Sequence, residues 1–206
     1  MEELDLLKKD WQKNENSFEQ VSEMEIYKML HKKSSSIVKW ILIISILEVL
    51  LWTGISLLFN TDDYLKEIHG ESYIALFKYL TVFNYCVVAV FILIFYKNYK
   101  NISTITSTKQ LMSDILKTRK TVQYYVWYNL GMIVFSMIIG FVLAFSLNPK
   151  VHELTLNTKV FTLTILLCGA FLLLFVGLFW LFYKLIYGIL LKKLYRNYHE
   201  LKKIDL

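Results

Sequence analysis

Four long apolar runs are the feature that most constrains the fold of this chain of 206 residues. They predict membrane spans over residues 37–59, 74–96, 124–146 and 160–183. Because an α-helix rises about 1.5 Å per residue, each run is long enough to cross a hydrocarbon core of about 30 Å. The runs leave no stretch able to bury a separate soluble core. We therefore predict an all-α protein, a four-span transmembrane helical bundle.

The sequence divides into three predicted parts. They are an N-terminal helical arm over residues 1–36, a membrane domain over 37–191 with a middle loop at 97–123, and a basic tail over 192–206. The last apolar run continues to Leu191, which is longer than one span requires. We expect its helix to leave the bilayer after about Tyr183 and to continue beyond it. The second half of the middle loop is also expected to be helical.

The start of the first long helix is marked by a capping box. Ser22 is followed three residues later by Glu25, the spacing at which each side chain reaches the backbone amide of the other. No proline or glycine occurs between this point and the first span. The pattern predicts one continuous helix from about Glu23 into the membrane.

Basic residues alternate between the segments that flank the spans, and this pattern indicates how the chain is oriented. The arm, the middle loop and the segment from Lys184 to Lys203 each hold six Lys or Arg residues, whereas the other two connections hold one and two. Such residues concentrate on the cytoplasmic side of a membrane, so both termini are predicted to be cytoplasmic. The net charge of +6 then reflects topology, and no nucleic-acid partner is implied.

Aromatic residues near the predicted cytoplasmic ends of the spans suggest an interfacial belt, because amphipathic rings prefer the headgroup level of a bilayer. The predicted belt consists of Trp40, Tyr96, Tyr124, Tyr125, Trp127, Tyr128 and Tyr183. The belt agrees with the orientation given by the basic residues.

Three polar residues inside the spans, Glu48, Asn84 and Ser136, form a candidate intramembrane cluster. Each lies about eleven or twelve residues from the predicted cytoplasmic boundary, so we expect one shared layer near the midplane. An unpartnered carboxyl group there costs several kcal/mol, which predicts a hydrogen bond from Glu48 to Asn84 or Ser136. One interpretation is an interhelical hydrogen-bonding node, which we favour because the spans show no second ionisable group near the midplane and no midplane Gly or Pro break. The other is a proton or cation site in a small transporter or channel subunit.

Small residues at helical spacing predict two faces of close helix packing. Ser136, Gly140 and Ala144 recur every four residues in the third span, and Gly169 and Gly177 share a face of the fourth. Small residues allow neighbouring backbones to approach closely. We favour contacts within one chain, and the alternative is a homo-oligomer.

The N-terminal arm carries a short apolar stripe formed by Leu4, Leu7 and Trp11. This stripe is a candidate partner-binding surface. One interpretation, which we favour, is docking on the inner leaflet or on the protein's own helices. The other is binding of a cytoplasmic protein partner.

Enzyme motifs are missing from the sequence. It contains no G-x-S-x-G, no phosphate-binding glycine loop and no dinucleotide fingerprint. The four histidines lie outside the spans and lack the spacing of shared metal ligands. We therefore predict no catalytic residue, no metal and no cofactor, and we favour a non-enzymatic protein.

Four stretches distributed over nearly the whole chain carry a resemblance to known proteins. They are LDLLKKDWQKNENSF, EIYKMLHKKSSSIVKWI, LKTRKTVQYYVWYNLG and YRNYHELKKIDL. These stretches resemble a group of small flavobacterial membrane proteins. Members of that group often carry the label beta-carotene 15,15'-monooxygenase, and some resemble partners of extracytoplasmic-function sigma factors. The resemblance implies a multi-pass protein of a bacterial inner membrane and implies no site residues.

Three functions follow from these patterns. We favour an integral inner-membrane protein that presents a cytoplasmic helical surface to a protein partner, with a role in regulation. The first alternative is the transporter or channel subunit. The second is the carotenoid-cleaving oxygenase, which we disfavour because such enzymes hold iron through histidines and the spans contain none.

Overall fold

The protein is described here from a computed structural model. The described residues are 22–59, 61–67, 70–105, 107–148, 151 and 157–204. Within these ranges the long elements are all α-helices and no strand occurs, so the prediction of an all-α fold is confirmed. Leu4, Leu7 and Trp11 lie outside the described residues, and their predicted role stays a prediction.

Five α-helices make up the described fold. They are α1 (Glu23–Leu58), α2 (Thr61–Glu67), α3 (Ile74–Thr104), α4 (Thr108–Leu147) and α5 (Thr158–Ile204), with a short 3-10 turn at Glu71–Tyr73 before α3. Four of them, α1, α3, α4 and α5, are long and apolar enough to cross a membrane. Large apolar side chains such as Leu57 and Leu58 are exposed along these helices, an arrangement that suits lipid and not water. The chain is a multi-pass membrane protein.

The first helix begins where the capping box predicts. The Ser22 hydroxyl oxygen accepts a hydrogen bond of 3.3 Å from the amide of Glu25, and the Ser22 amide donates one of 3.0 Å to Oε2 of Glu25. The helix then runs without interruption to Leu58. The prediction of one helix from Glu23 through the first span is confirmed.

The four long helices form a ring in which each packs mainly against two others, and α1 and α4 also meet across it. Helix α1 contacts α3 and α5, and α4 contacts the same two helices from the opposite corner. Successive long helices are antiparallel, so one end of the bundle holds the start of α1, the turn between α3 and α4, and the end of α5. We call this the terminal end and the opposite end the far end.

At the terminal end the helices continue beyond the predicted spans and pack around a core of their own. Its buried apolar residues include Leu30, Ile102, Leu111, Ile115 and Leu201. The predicted middle loop is therefore largely helical. Its second half is helical as predicted, and its first half also belongs to a helix, since α3 ends only at Thr104 and α4 begins at Thr108.

At the far end, the short helix α2 folds against the bundle. Leu65 of α2 is buried, and Leu143 of α4 is buried beside it. Phe77 and Ile139 pack against this pair. Lys78 of α3 forms an ion pair of 3.0 Å with Asp62 of α2. These contacts place α2 over one end of the bundle interior.

The glycines of the predicted small-residue faces do not pack against other helices of the chain. A Cβ atom added to Gly140, Gly169 or Gly177 would meet no atom within 4 Å. The expectation of close packing within one chain is wrong for these three glycines, because the buried sides of α4 and α5 are set instead by larger residues such as Tyr125 and Tyr187. The glycines face outward from the bundle.

Candidate functional site

The site is built around Glu48, whose side chain lies inside the bundle. Buried positions on α1 recur at intervals of three and four residues, which is the spacing of an inward helix face, and Ile41, Ser45 and Glu48 belong to that series. Glu48 is only 8% exposed. The same phase that buries the apolar residues of α1 therefore carries a carboxyl group into the interior.

Three tyrosine hydroxyls surround the Glu48 carboxyl group. Tyr125 of α4 donates a hydrogen bond of 2.9 Å to Oε2, and Tyr187 of α5 donates one of 3.2 Å to the same oxygen. Tyr183 of α5 donates to Oε1. A carboxyl group that is only 8% exposed needs such partners, because little water reaches it to replace them. The hydroxyls join α1, α4 and α5 at one point.

The sequence does not predict that these tyrosines contact Glu48. Tyr125 and Tyr183 belong to the predicted interfacial belt, yet both are buried against Glu48. No sequence pattern indicates a role for Tyr187. Other belt residues fit the prediction better, since Trp127 is 69% exposed whereas Tyr125 is 1% exposed. The belt prediction is wrong for the two tyrosines that face the bundle interior.

The contacts also change the expected depth of Glu48. Tyr125 lies at the start of the predicted third span and Tyr183 at the end of the fourth, and both hydroxyls reach the carboxyl group. The carboxyl group therefore lies at the level of those span ends, on the terminal side of the bundle. It does not lie at the middle of the third and fourth spans, as counting along the first span implied.

Asn84 and Ser136 share a cavity with Glu48 but are not its hydrogen-bonding partners. Asn84 Oδ1 accepts a hydrogen bond of 3.0 Å from the hydroxyl of Tyr128. The expected bond from Glu48 to Asn84 or Ser136 is not formed. The carboxyl oxygens of Glu48 instead accept hydrogen bonds from the tyrosines of α4 and α5. All three residues of the predicted cluster nevertheless line the same space. The structure thus brings them around one cavity without joining them in one network.

This cavity has a volume of about 450 Å³ and lies between α1, α3, α4 and α5. Its lining combines the polar groups with many aromatic and apolar side chains. They are Glu48, Val49, Trp52, Ser56, Phe77, Leu80, Thr81, Asn84, Tyr85, Val88, Tyr125, Asn129, Met132, Ile133, Phe135, Ser136, Met137, Ile139, Phe175 and Tyr183. Among these described lining residues there is one acidic side chain and no Lys, Arg or His.

Hydrogen bonds and ring contacts fix the cavity walls. The hydroxyl of Thr53 donates to the backbone oxygen of Val49 at 2.8 Å and lies 3.1 Å from the hydroxyl of Tyr85. Because the Thr53 proton is already used, Tyr85 donates to Thr53. The ring of Trp52 stacks on Phe179 with 5.5 Å between ring centroids. These contacts hold the aromatic side chains of α1 and α3 in place around the space.

The residues around Glu48 do not suit the iron of a carotenoid-cleaving enzyme. Within the part of the chain that the structure describes, no three His, Cys, Asp or Glu side chains come together in a metal-binding arrangement. The groups that surround Glu48 are phenols, and the described histidines, His31 and His199, lie on the helical extensions at the terminal end.

The family of the chain is established by a match that covers almost all of it. The family described as Domain of unknown function (DUF8845) matches residues 24–206. The chain belongs to this family. Glu48, its three tyrosine partners and the whole cavity lining lie within the matched region of this DUF8845 domain. No curated protein and no solved structure matches the chain.

Proposed function

We propose that this DUF8845 membrane protein binds a small solute inside its helical bundle, as a small transporter or channel subunit. The observation that carries the proposal is the buried carboxyl group of Glu48 at the wall of a cavity of about 450 Å³. Binding sites for small molecules are mostly apolar cavities of about 300–1,000 Å³ with a few placed polar groups. An ionisable residue inside a membrane bundle is a further mark of a ligand or ion pathway.

The cavity beside Glu48 favours a binding site over a purely structural hydrogen-bonding node. A hydrogen-bonding node needs only the contact between Glu48 and its tyrosines. Here the polar groups Asn84, Asn129 and Ser136 line an adjoining space that the chain itself leaves unfilled. The space is also open to the surroundings on one side, since Phe135 of its lining is 47% exposed, and this opening gives a solute a route into it.

The test adds bulk at the exposed edge of the cavity wall and leaves Glu48 unchanged. Ser136→Phe places a ring at the cavity wall, whereas Ser146→Phe makes the same change on an exposed position of α4 outside the lining. Small molecules that co-purify with each variant in mild detergent are extracted and compared by mass spectrometry. We expect a molecule enriched with the wild type and Ser146→Phe but lost with Ser136→Phe. Identical extracts from all three folded proteins would contradict solute binding in the cavity.

A second candidate is the cytoplasmic surface for a protein partner. The observation that favours it is the packed core at the terminal end, around Leu30, Ile102 and Leu111, which makes the helical extensions a folded body of their own. Deletion of residues 1–21 removes the apolar stripe of Leu4, Leu7 and Trp11 while leaving this body intact. A partner recovered with the full chain and lost with the deletion would support this function. An unchanged set of co-purifying proteins would contradict it.

We also propose that the terminal end is cytoplasmic and that the membrane is a bacterial inner membrane. The support is the concentration of basic residues in the segments of this end and the flavobacterial resemblance. Single cysteines at Glu71 and Lys202, in a background with Cys86 and Cys168 replaced by Ser, test the orientation. A membrane-impermeant thiol reagent added to intact cells should label position 71 and not position 202. The carotenoid-oxygenase label stays a prediction of the resemblance alone.

A further inference from the structure

We infer that the solute is an organic cation with an apolar body, whose charged head lies against Glu48 and whose body fills the aromatic cavity. This inference rests on the proposed function and names its ligand class. Three properties of the cavity support it: its charge, its aromatic lining and its apolar remainder.

The charge of the lining favours a cation. Glu48 is the one acidic side chain among the described lining residues, and no Lys, Arg or His lines the space with it. The ion pairs of the described residues join other side chains and do not include Glu48. An ionised carboxyl group is a pure acceptor, which is the form that three donating hydroxyls suit. Its charge in a low-dielectric site is costly until a positive partner lies beside it.

The aromatic lining favours a bulky, weakly hydrated cation over a small hydrated one. Trp52, Tyr85, Tyr125, Phe175 and Tyr183 all line the cavity, and two of these rings carry the hydroxyls that hold Glu48. The face of an aromatic ring attracts a cation within about 6 Å, and aromatic cages are the usual sites for quaternary ammonium groups. An inorganic ion such as Mg²⁺ or Ca²⁺ would instead require several oxygen ligands. The lining supplies only one carboxyl group to balance a double charge, and its other side-chain oxygens belong to neutral amides and hydroxyls.

The remainder of the lining favours an apolar body attached to that cation. Leu80, Met132, Ile133, Met137 and Ile139 extend the cavity away from Glu48. Ile139 also packs against buried Leu65 under α2, so this apolar part reaches the far end of the bundle. A ligand with its head at Glu48 and its body in this part would bury apolar surface along its length.

The test compares two probes of the same shape and opposite charge. Radiolabelled tetraphenylphosphonium and tetraphenylborate are each measured by equilibrium dialysis against the purified full-length protein in mild detergent. We expect the phosphonium to bind and the borate to bind at least about tenfold more weakly, a difference of ~1.4 kcal/mol. This comparison needs no variant and therefore stands even if a substitution of Glu48 fails to fold.

Two carboxyl variants then locate the charge that selects the cation. Glu48→Gln removes the carboxyl group at the cavity. Asp114→Asn, the control, removes a carboxyl group that is similarly buried, at 6% exposed, but lies in the terminal-end part of α4. We expect phosphonium binding to weaken at least about tenfold in Glu48→Gln and to change less than twofold in Asp114→Asn. Equal losses in both variants would overturn the role of Glu48.

The remaining outcomes separate this inference from the function on which it rests. If both probes bind alike and Ser136→Phe blocks both, the cavity binds solutes but does not select cations, and only this inference is overturned. If neither probe binds to the wild type, or if Ser136→Phe reduces the binding of neither probe, the inference of an organic cation is also overturned. The proposed function is then judged separately by the co-purifying molecules of wild type and Ser136→Phe.

Discussion

The hydroxyl of Tyr125 donates a hydrogen bond of 2.9 Å to Oε2 of Glu48, a residue 77 positions earlier in the chain. The two residues belong to α4 and α1, which lie across the ring of helices from each other. The bond therefore ties opposite corners of the bundle. The ring of Tyr125 also makes T-shaped contacts with the rings of Phe91 and Phe95, at centroid distances of 5.5 and 5.4 Å. The hydroxyl is held at Glu48 by the packing of its own ring.

Tyr125→Phe should destabilise the bundle while keeping its shape. The change removes one hydroxyl donor to a buried carboxyl group and leaves the ring contacts. Hydrogen bonds inside membrane proteins contribute about 0.6 kcal/mol on average and up to about 1.7, so we expect a loss of ~1–2 kcal/mol for a bond to a carboxyl group. The free energy of unfolding in mixed micelles measures the effect. Tyr79→Phe, at a position that is 75% exposed, is the control and should change nothing. Equal stability of the two variants would contradict the role of the Tyr125 hydroxyl.

The helices of this protein could be predicted from sequence because hydropathy and capping report directly on the backbone. A long apolar run must be helical in lipid, and the pairing of Ser22 with Glu25 marks where a helix begins. Both signals are local. The structure accordingly has α1 from Glu23 to Leu58 and four helices that can cross a membrane.

The partners of Glu48 could not be predicted in the same way, because a tyrosine near a span end suits a lipid interface and a buried hydrogen bond equally well. Only its phase around the helix distinguishes the two. Tyr183 and Tyr187 are four residues apart, and the buried Leu194 and Leu201 follow at intervals of seven, which keeps all four residues on one face of the helix. That phase was present in the sequence. The sequence does not indicate which helix packs against this face, so it could not identify Glu48 as the partner of these tyrosines.

Ser34→Ala should destabilise the terminal end more than its surface counterpart. Asn197 Nδ2 donates a hydrogen bond of 3.1 Å to the Ser34 hydroxyl, and both residues are buried between α1 and α5. Removing the hydroxyl leaves the amide without that acceptor, which costs about 1–3 kcal/mol. Ser36→Ala, two residues on and exposed, is the matched control. Thermal unfolding of both variants measures the difference, and similar midpoints would show that the buried pair contributes nothing.

Gly140→Ala should leave the fold of the single chain intact, whereas Gly70→Ala should destabilise it. A Cβ at position 140 meets no atom within 4 Å, but at position 70 it would lie 3.2 Å from the backbone oxygen of Leu65 and 3.1 Å from a side-chain atom of Leu147. Replacing an exposed helical glycine by alanine gains about 0.5–1 kcal/mol in soluble helices. Unfolding measurements compare the two variants. A loss of stability in Gly140→Ala, accompanied by a smaller particle in light scattering, would instead identify that face as a contact between copies.

Leu111→Ala should loosen the terminal end and spare the spans. Leu111 is fully buried in the core where α1, α3, α4 and α5 continue beyond the predicted spans. Truncating a buried leucine costs about 2–5 kcal/mol, since the cavity it leaves closes only partly. The spans retain the contacts around Glu48, so hydrogen exchange should rise in residues 23–36, 97–120 and 190–204 and remain slow in the apolar helices. Met24→Ala, at an exposed position of the same end, should change neither region. A uniform rise of exchange along all four helices would contradict this prediction. It would mean that the terminal end and the spans unfold as one cooperative unit, so that a loss of packing in the extensions also destabilises the helices around the cavity.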